Sequence, residues 1–232
     1  MARQLLVRHG HVMRETAIAE NIPRGYQSVY PALKTMEDSG WVRRGMFVVG
    51  LGAAQFAMTA AVDMLRSLRV DPVNPEAIFL AATDPANPYG TLLPWPRAEI
   101  IGEEASPHRM SRTSGAGVIL INGALCAFLR RRNSSMRVFL PDGEPERSLV
   151  ARELARKLAE LAIVRQGRRT GLLIGEINDL PAREHFLARF LEEAGFVTTA
   201  LGFQMRRRTA VVLSGDATRV EEEPEQEHSE SA

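Results

Sequence analysis

The residues best suited to chemistry fall in a short stretch near the N-terminus. Gln27, Ser28, Tyr30 and Lys34 lie at and just inside the start of a segment with helical periodicity. A glycine, Gly40, follows, and then the pair Arg43-Arg44 in a β-rich run. Polar side chains on the first turns of a helix can reach base edges in a groove, and guanidinium groups on an adjacent ribbon suit phosphate. Contacts of the second kind give affinity without sequence choice. Glu37 and Asp38 oppose that field, so the same surface also fits a protein-docking or scaffold role.

A second constellation is ATDPANPYGTLLPWP, residues 82–96. Its prolines and Gly90 predict a stiff loop carrying Asp84, Asn87, Tyr89 and Trp95. An aromatic presented on such a loop can stack on an exposed base, and it can equally pack as a corner against a sheet. Arg130 and Arg131, in an Arg-Arg-Arg run ending at Arg132, follow a predicted strand, and Arg206-Arg207-Arg208 ends the last one; each run is either a phosphate clamp or a solvated strand end. Glu176 and Asp179 end a buried strand, where a carboxylate can activate water or cap the next helix.

Other chemistries lack their residues. No GxxxxGK[ST] loop and no DExH-type acidic box occurs, so no ATP turnover and no cofactor are expected of this chain. The five histidines show no HxxxH spacing, and one cysteine, Cys126, permits neither an internal disulfide nor a multi-cysteine metal site. His9-Gly10-His11 reads as a turn between two helices. No GxSxG elbow is present.

These residues need positioning. Apolar content of 45% and charged content of 25% are those of an ordinary globular chain, and no apolar run approaches the length of a membrane span. The expected compartment is therefore the cytoplasm, with no membrane partner. The net charge of +1 conceals a basic body and a tail, residues 221–232, with six Glu and no Lys or Arg. That tail is expected to be disordered.

Residues 1–50 predict three helices and a hairpin, a winged-helix outline. RQLLVRHG and MRETAIAE are the first two helices, with Ala17 and Ile18 facing inward. The third is capped by Ser28, carries Val29, Leu33 and Met36 on one stripe, and stops at Gly40. WVRRGMFVV reads as the hairpin wing, turning at Arg44-Gly45. Residues 51–75 form a connecting loop and helix, with Val62, Leu65 and Leu68 on one side. Residues 76–207 read as a β-barrel-like antiparallel domain with two packed helices. Asn122-Gly123 marks a type I′ hairpin and Ser148 a helix cap. Residues 208–232 are an extension ending in the acidic tail. The fold class expected is α+β.

GWVRRGMFVVGLGAAQFA, LAATDPANPYGTLLPWP, GAGVILINGALCAFL and EAGFVTTALGFQMRR occur in that order between about residue 3 and residue 207. Together they resemble the C-terminal region of the large helicase-related (Lhr) family, ATP-dependent DNA helicases of the DEAD/DEAH-box superfamily 2. The resemblance implies two upstream motor domains that use ATP and magnesium, then winged helices and a β-barrel-containing extension. It also implies movement on single-stranded DNA and a link to DNA repair. The C-terminal part of the family is similar in architecture to DNA glycosylases that unhook crosslinks. The motor residues are missing from this chain, and RTAVVLSGDATRV and the acidic tail lie outside the matching blocks. The expected role is a DNA-binding module partnered by DNA and by helicase motor domains. The rivals are a glycosylase-like hydrolase, for which Asp84, Asp179 and Gln55 are the candidate polar groups, and a docking platform, which would self-associate.

Overall fold

The computed structural model describes residues 1–52, 54–70, 72, 74–96, 110–130, 134–167 and 172–205. The chain opens with α1 (Ala2–His9), β1 (His11–Val12), α2 (Arg14–Ala19), a 3₁₀ turn (Gly25–Ser28), α3 (Tyr30–Asp38), β2 (Val42–Gly45), β3 (Gln55–Met58) and α4 (Thr59–Ser67). Leu5, Leu6, Val12, Val29, Leu33, Val42 and Phe56 form one buried cluster between the helices and a three-stranded antiparallel sheet ordered β1-β3-β2. α3 ends in a Schellman turn: Trp41 N–H donates to Met36 O at 2.9 Å and Gly40 N–H to Glu37 O at 2.8 Å, with Gly40 left-handed.

Three local expectations change. Ile18 is exposed whereas Ala17 is buried, because α2 has only six residues and turns one narrow face to the core. Ser28 sits inside the 3₁₀ turn, its hydroxyl donating to Gly25 O at 2.8 Å, and Val29 occupies the N-cap position of α3. The ribbon does not turn at Arg44-Gly45. β2 pairs with β3, Val42 opposite Met58 and Gly45 opposite Gln55, so the ribbon turns only beyond Gly45 and its return strand lies in the stretch read as connector.

The second half is built on a six-stranded sheet, ordered β10-β9-β7-β6-β5-β4, from β4 (Ala77–Ala81), β5 (Gly117–Ile121), β6 (Ala124–Leu129), β7 (Ser135–Val138), β9 (Glu176–Ile177) and β10 (Leu180–Pro181). Asn122 and Gly123 both have positive φ at the β5–β6 turn, as a type I′ hairpin requires. The long helix α5 (Glu146–Gly167) crosses one face. Its Ala151, Leu154, Ala155, Leu158 and Ala162 are fully buried against Ile119, Leu129, Met136 and Val138, the alanines letting the helix approach closely. The start of α5 is held by Glu144, whose carboxylate accepts from Ser148 N–H at 3.1 Å, so Ser148 is the capped residue and not the cap. A third, three-stranded sheet, β11-β12-β8, combines β8 (Leu173–Ile174), β11 (Phe196–Thr199) and β12 (Gly202–Met205), with α6 (Ala188–Glu193) packed beside it through Phe190 and Leu191.

The expected barrel is not formed. β4 and β10 are opposite edges of an open sheet, and each pairs with one neighbour. Closure fails because α5 packs across the face that a barrel interior would occupy, and because the chain leaves one sheet for another at Gly175. β8 belongs to the third sheet and β9 to the second, so the run read as one strand is two. Gly175 is needed at that step: a Cβ there would lie 2.9 Å from Leu201 O and 2.9 Å from Ser134 Oγ.

Leu154 is the test of this core. Leu154→Ala should cost about 2–5 kcal/mol of unfolding free energy, read from the midpoint of urea denaturation with an unchanged slope.

Candidate nucleic-acid interface

Val29 and Leu33 anchor α3, which leaves Lys34 on the outer face, while Gln27 and Ser28 are exposed on the preceding turn. Tyr30 is half-buried, edge-on to Phe56 at 5.8 Å and 5.8 Å from the Tyr26 ring, so it struts the helix against the sheet. Tyr26 donates its phenolic hydrogen to Ala54 O at the base of the wing. Burial, then the neighbouring Tyr30, pushes its pKa up to about 12, so the donor persists at any ordinary pH.

Gln55 organises the wing. Fully buried, it accepts at Oε1 from Phe47 N–H (2.8 Å) and Val48 N–H (2.9 Å), and its Nε2 donates to Val48 O (2.9 Å) and Gly52 O (3.1 Å). One amide side chain thus replaces the ladder that the loop lacks. Gln55, one of the polar groups considered for hydrolysis, has all its capacity engaged here.

The two wing arginines differ. Arg44 Nε lies 3.2 Å from Glu37 Oε1, joining the wing to the end of α3 and neutralising part of its charge. Arg43 is exposed and forms no ion pair among the described residues, and the same holds for Lys34. Exposed and on adjoining elements, and unpaired among the described residues, these two cations are available to an anionic backbone.

The proline-rich segment has a different position. It covers the face of the six-stranded sheet opposite α5, against Val118, Leu125 and Phe128. Trp95 stacks on Tyr89 at 6.3 Å and meets Phe128 edge-on at 5.3 Å, and the Tyr89 hydroxyl accepts from Leu125 N–H at 3.2 Å. Buried Asn87 donates to Ala82 O at 2.9 Å, while Asp84 Oδ1 accepts from Ala86 N–H at 2.8 Å. Arg112 gathers three loop carbonyls: those of Asn87 (2.7 Å), Tyr89 (3.2 Å) and Asp84 (3.0 Å). Gly90 admits the indole, since a Cβ there would meet Trp95 Nε1 at 2.6 Å. Both Trp95 and Asp84 are thereby engaged in holding the corner.

Arg130 and Asp179 come together in a small cleft with Phe128, Ser135, Met136 and Arg137. Arg137 is buried, sits opposite Phe128 across the β6–β7 pair, and its Nη2 lies 2.8 Å from Asp179 Oδ2. Asp179 caps no helix. With Asn178 it makes the positive-φ turn between β9 and β10, and Asn178 bonds both backbone groups of Val138, N–H at 2.8 Å and O at 2.9 Å. Sequence reading missed Arg137 and Arg112, because an arginine in an apolar run reveals no partner until the strands pair. Arg131, Arg132 and Arg206–Arg208 lie outside the described residues.

Metal-binding geometry is absent among the described residues, where no group of three His, Cys, Asp or Glu side chains converges. His9 Nε2 is 2.8 Å from Glu20 Oε1, and burial lowers the pKa of His11 and, with Arg147 nearby, that of His185. The buried Cys126 thiol is pushed up to about 11 by burial, the reverse of what a nucleophile needs.

Trihelical packing, a three-stranded sheet and a pinned wing define the first unit as a winged helix. Residues 1–77 match the family of winged-helix domains of the large helicase-related protein. The chain is 39% identical over 216 residues to a Mycolicibacterium smegmatis protein described as "Lhr helicase/ probable uracil glycosylase", covering 88% of this chain and 14% of that protein. It is 36% identical over 207 residues to the Escherichia coli "Lhr helicase/uracil glycosylase", covering 87% of this chain and 12% of that protein. The chain therefore matches a C-terminal fragment of an Lhr-family helicase and spans about one-eighth of the length of these relatives.

Gln55→Ala should leave buried wing N–H groups without partners and cost about 2–3 kcal/mol. Hydrogen exchange should then show lost protection at Phe47 and Val48, with the amides of α5 unaffected under native conditions.

Proposed function

We propose that this chain is a DNA-binding accessory module of an Lhr-type helicase, working beside motor domains that bind ATP and magnesium, in DNA repair. The observation that carries this reading is the pair of exposed cations, Lys34 on α3 and Arg43 on β2, without ion pairs among the described residues, on the outer side of a winged helix. Gln27 and Ser28 lie on the turn leading into α3, where side chains can approach base edges. These two cations contact phosphate and hold the module on DNA of any sequence. Lys34→Ala with Arg43→Ala should weaken binding to duplex or single-stranded oligonucleotides about tenfold at low salt, alike across sequences. The slope of log affinity against log salt should shrink by about 2. Fluorescence anisotropy checks this, and an unchanged affinity and slope reject the face carrying Lys34 and Arg43 as the DNA surface.

A second reading follows from the names of the relatives and from Asp179. Removing a uracil base adds water across the bond between base and sugar, and positive charge develops on the sugar as that bond breaks. A carboxylate fixed at a cleft by a buried guanidinium is suited to stabilise that charge. On this reading the chain generates abasic sites in a uracil-bearing oligonucleotide, and Asp179→Asn slows their appearance at least about a hundredfold. A wild-type chain that releases no uracil removes the reading.

A further inference from the structure

We propose that the place where the start of α5 meets α6 is a second phosphate-binding surface, taking the sugar–phosphate backbone of a nucleic acid. Its frame is an alternation of guanidiniums and aromatic rings. Arg147 Cζ lies 4.1 Å from the centre of the Phe186 ring, and Arg189 Cζ lies 4.5 Å from the same centre. Arg189 is also 4.6 Å from the centre of the Phe190 ring, which Arg152 approaches to 5.6 Å. The two rings are 5.5 Å apart. Three cations from two helices are thus held together through two phenylalanines. A guanidinium packed on a ring keeps its in-plane N–H donors for an anion, and that fork fits phosphate.

Counter-charge is short here. Further along α5, Arg156 pairs with Glu153 and Glu160, and Lys157 pairs with Glu160. Arg152 lies 3.4 Å from Glu193. Arg147 and Arg189 share one ring and have no ion pair among the described residues. Arg147 makes no side-chain hydrogen bond among them either, and its Nε is buried without a partner. Arg189 Nη2 reaches Ser148 Oγ at 3.4 Å. The acid bonded to that serine, Glu144, accepts from Ser148 N–H and from its hydroxyl, one with each oxygen. Glu146 lies elsewhere, in a cleft with Asn122 and Val150, while Arg183 and Glu184 on the 3₁₀ turn Ala182–Glu184 offset each other. Three guanidiniums therefore face two carboxylates, and the excess falls on the two that share a ring. Like charges this close repel, and an anion bridging them removes the repulsion. A row of cations suits a ligand whose charges repeat along a chain, and contacts to such a backbone carry no sequence preference.

The proposal rests on the DNA-binding reading and adds a surface remote in sequence from Lys34 and Arg43, so separate variants distinguish the two. Four forms of the chain are titrated against a fluorescein-labelled oligonucleotide across a salt series. They are the wild type, Lys34→Ala with Arg43→Ala, Arg147→Gln with Arg189→Gln, and Glu193→Gln. The glutamine pair should weaken binding about tenfold and shrink the salt slope by about 2, alike across sequences. Glu193→Gln, which releases Arg152, should tighten binding about threefold. A folded glutamine pair with unchanged affinity and slope overturns the proposal. If circular dichroism shows that pair unfolded, an unchanged affinity of Glu193→Gln overturns it instead. So does polyglutamate that displaces the oligonucleotide from the Lys34→Ala, Arg43→Ala variant as well as unlabelled DNA of equal charge, because the surface then takes acidic peptide. Weakening in the Lys34→Ala, Arg43→Ala variant alone leaves the winged-helix reading and removes this one; weakening in the glutamine pair alone does the reverse.

Discussion

A six-stranded sheet has two faces, and burying both is the constraint from which the larger half of this molecule follows. α5 covers one with a run of leucines and alanines, and the stiff segment 82–96 covers the other with Tyr89 and Trp95. The second cover has little regular structure, so its carbonyls need donors from elsewhere. Arg112 and Asn87 supply them, and the aromatic side chains are thereby fixed. Buried polar groups that find partners rigidify a loop, and each missing one costs more than a made one contributes. A proline-rich loop that looks built for display is thus the lid of a core.

The winged helix works by the same logic on a smaller scale. Its wing has few pairing partners of its own and hangs on a single buried glutamine, with Tyr26 tying the adjacent loop. This economy decides the electrostatics. Arg44 is drawn to Glu37, a near neighbour on α3, whereas Arg43, one residue away on an extended strand, has no ion pair among the described residues. Alternation along β2 makes the two arginines inequivalent, and only one of them extends the positive field of Lys34 outward.

The cleft at Asp179 shows how open sheets bring distant residues together. Phe128, Arg130, Arg137 and Asp179 come from three segments and meet because β6, β7 and β9 are adjacent. The Arg137–Asp179 pair also serves structure, since it holds the turn where the backbone is left-handed at two successive residues. A structural role thus accounts for the pair, so the names of the relatives alone do not assign it a reaction.

Much of the architecture was legible in the residues. Helix periodicity, the Gly40 stop, the Asn122-Gly123 turn and the strands from 77 to 138 are local properties, set by side-chain spacing and by the φ each residue tolerates. The four blocks between residues 3 and 207 point to the helicase family, and the relatives support it. Tertiary structure alone decided the return strand of the wing, the open sheet in place of a barrel, the change of sheet at Gly175 and the partner of each arginine. Those depend on which strand lies beside which, and hydrogen bonding between strands is indifferent to sequence separation. Local pattern says that a strand forms and which face is apolar. Its neighbour is chosen by the competition among all strands for a place on one core, and that competition exists only in the folded chain.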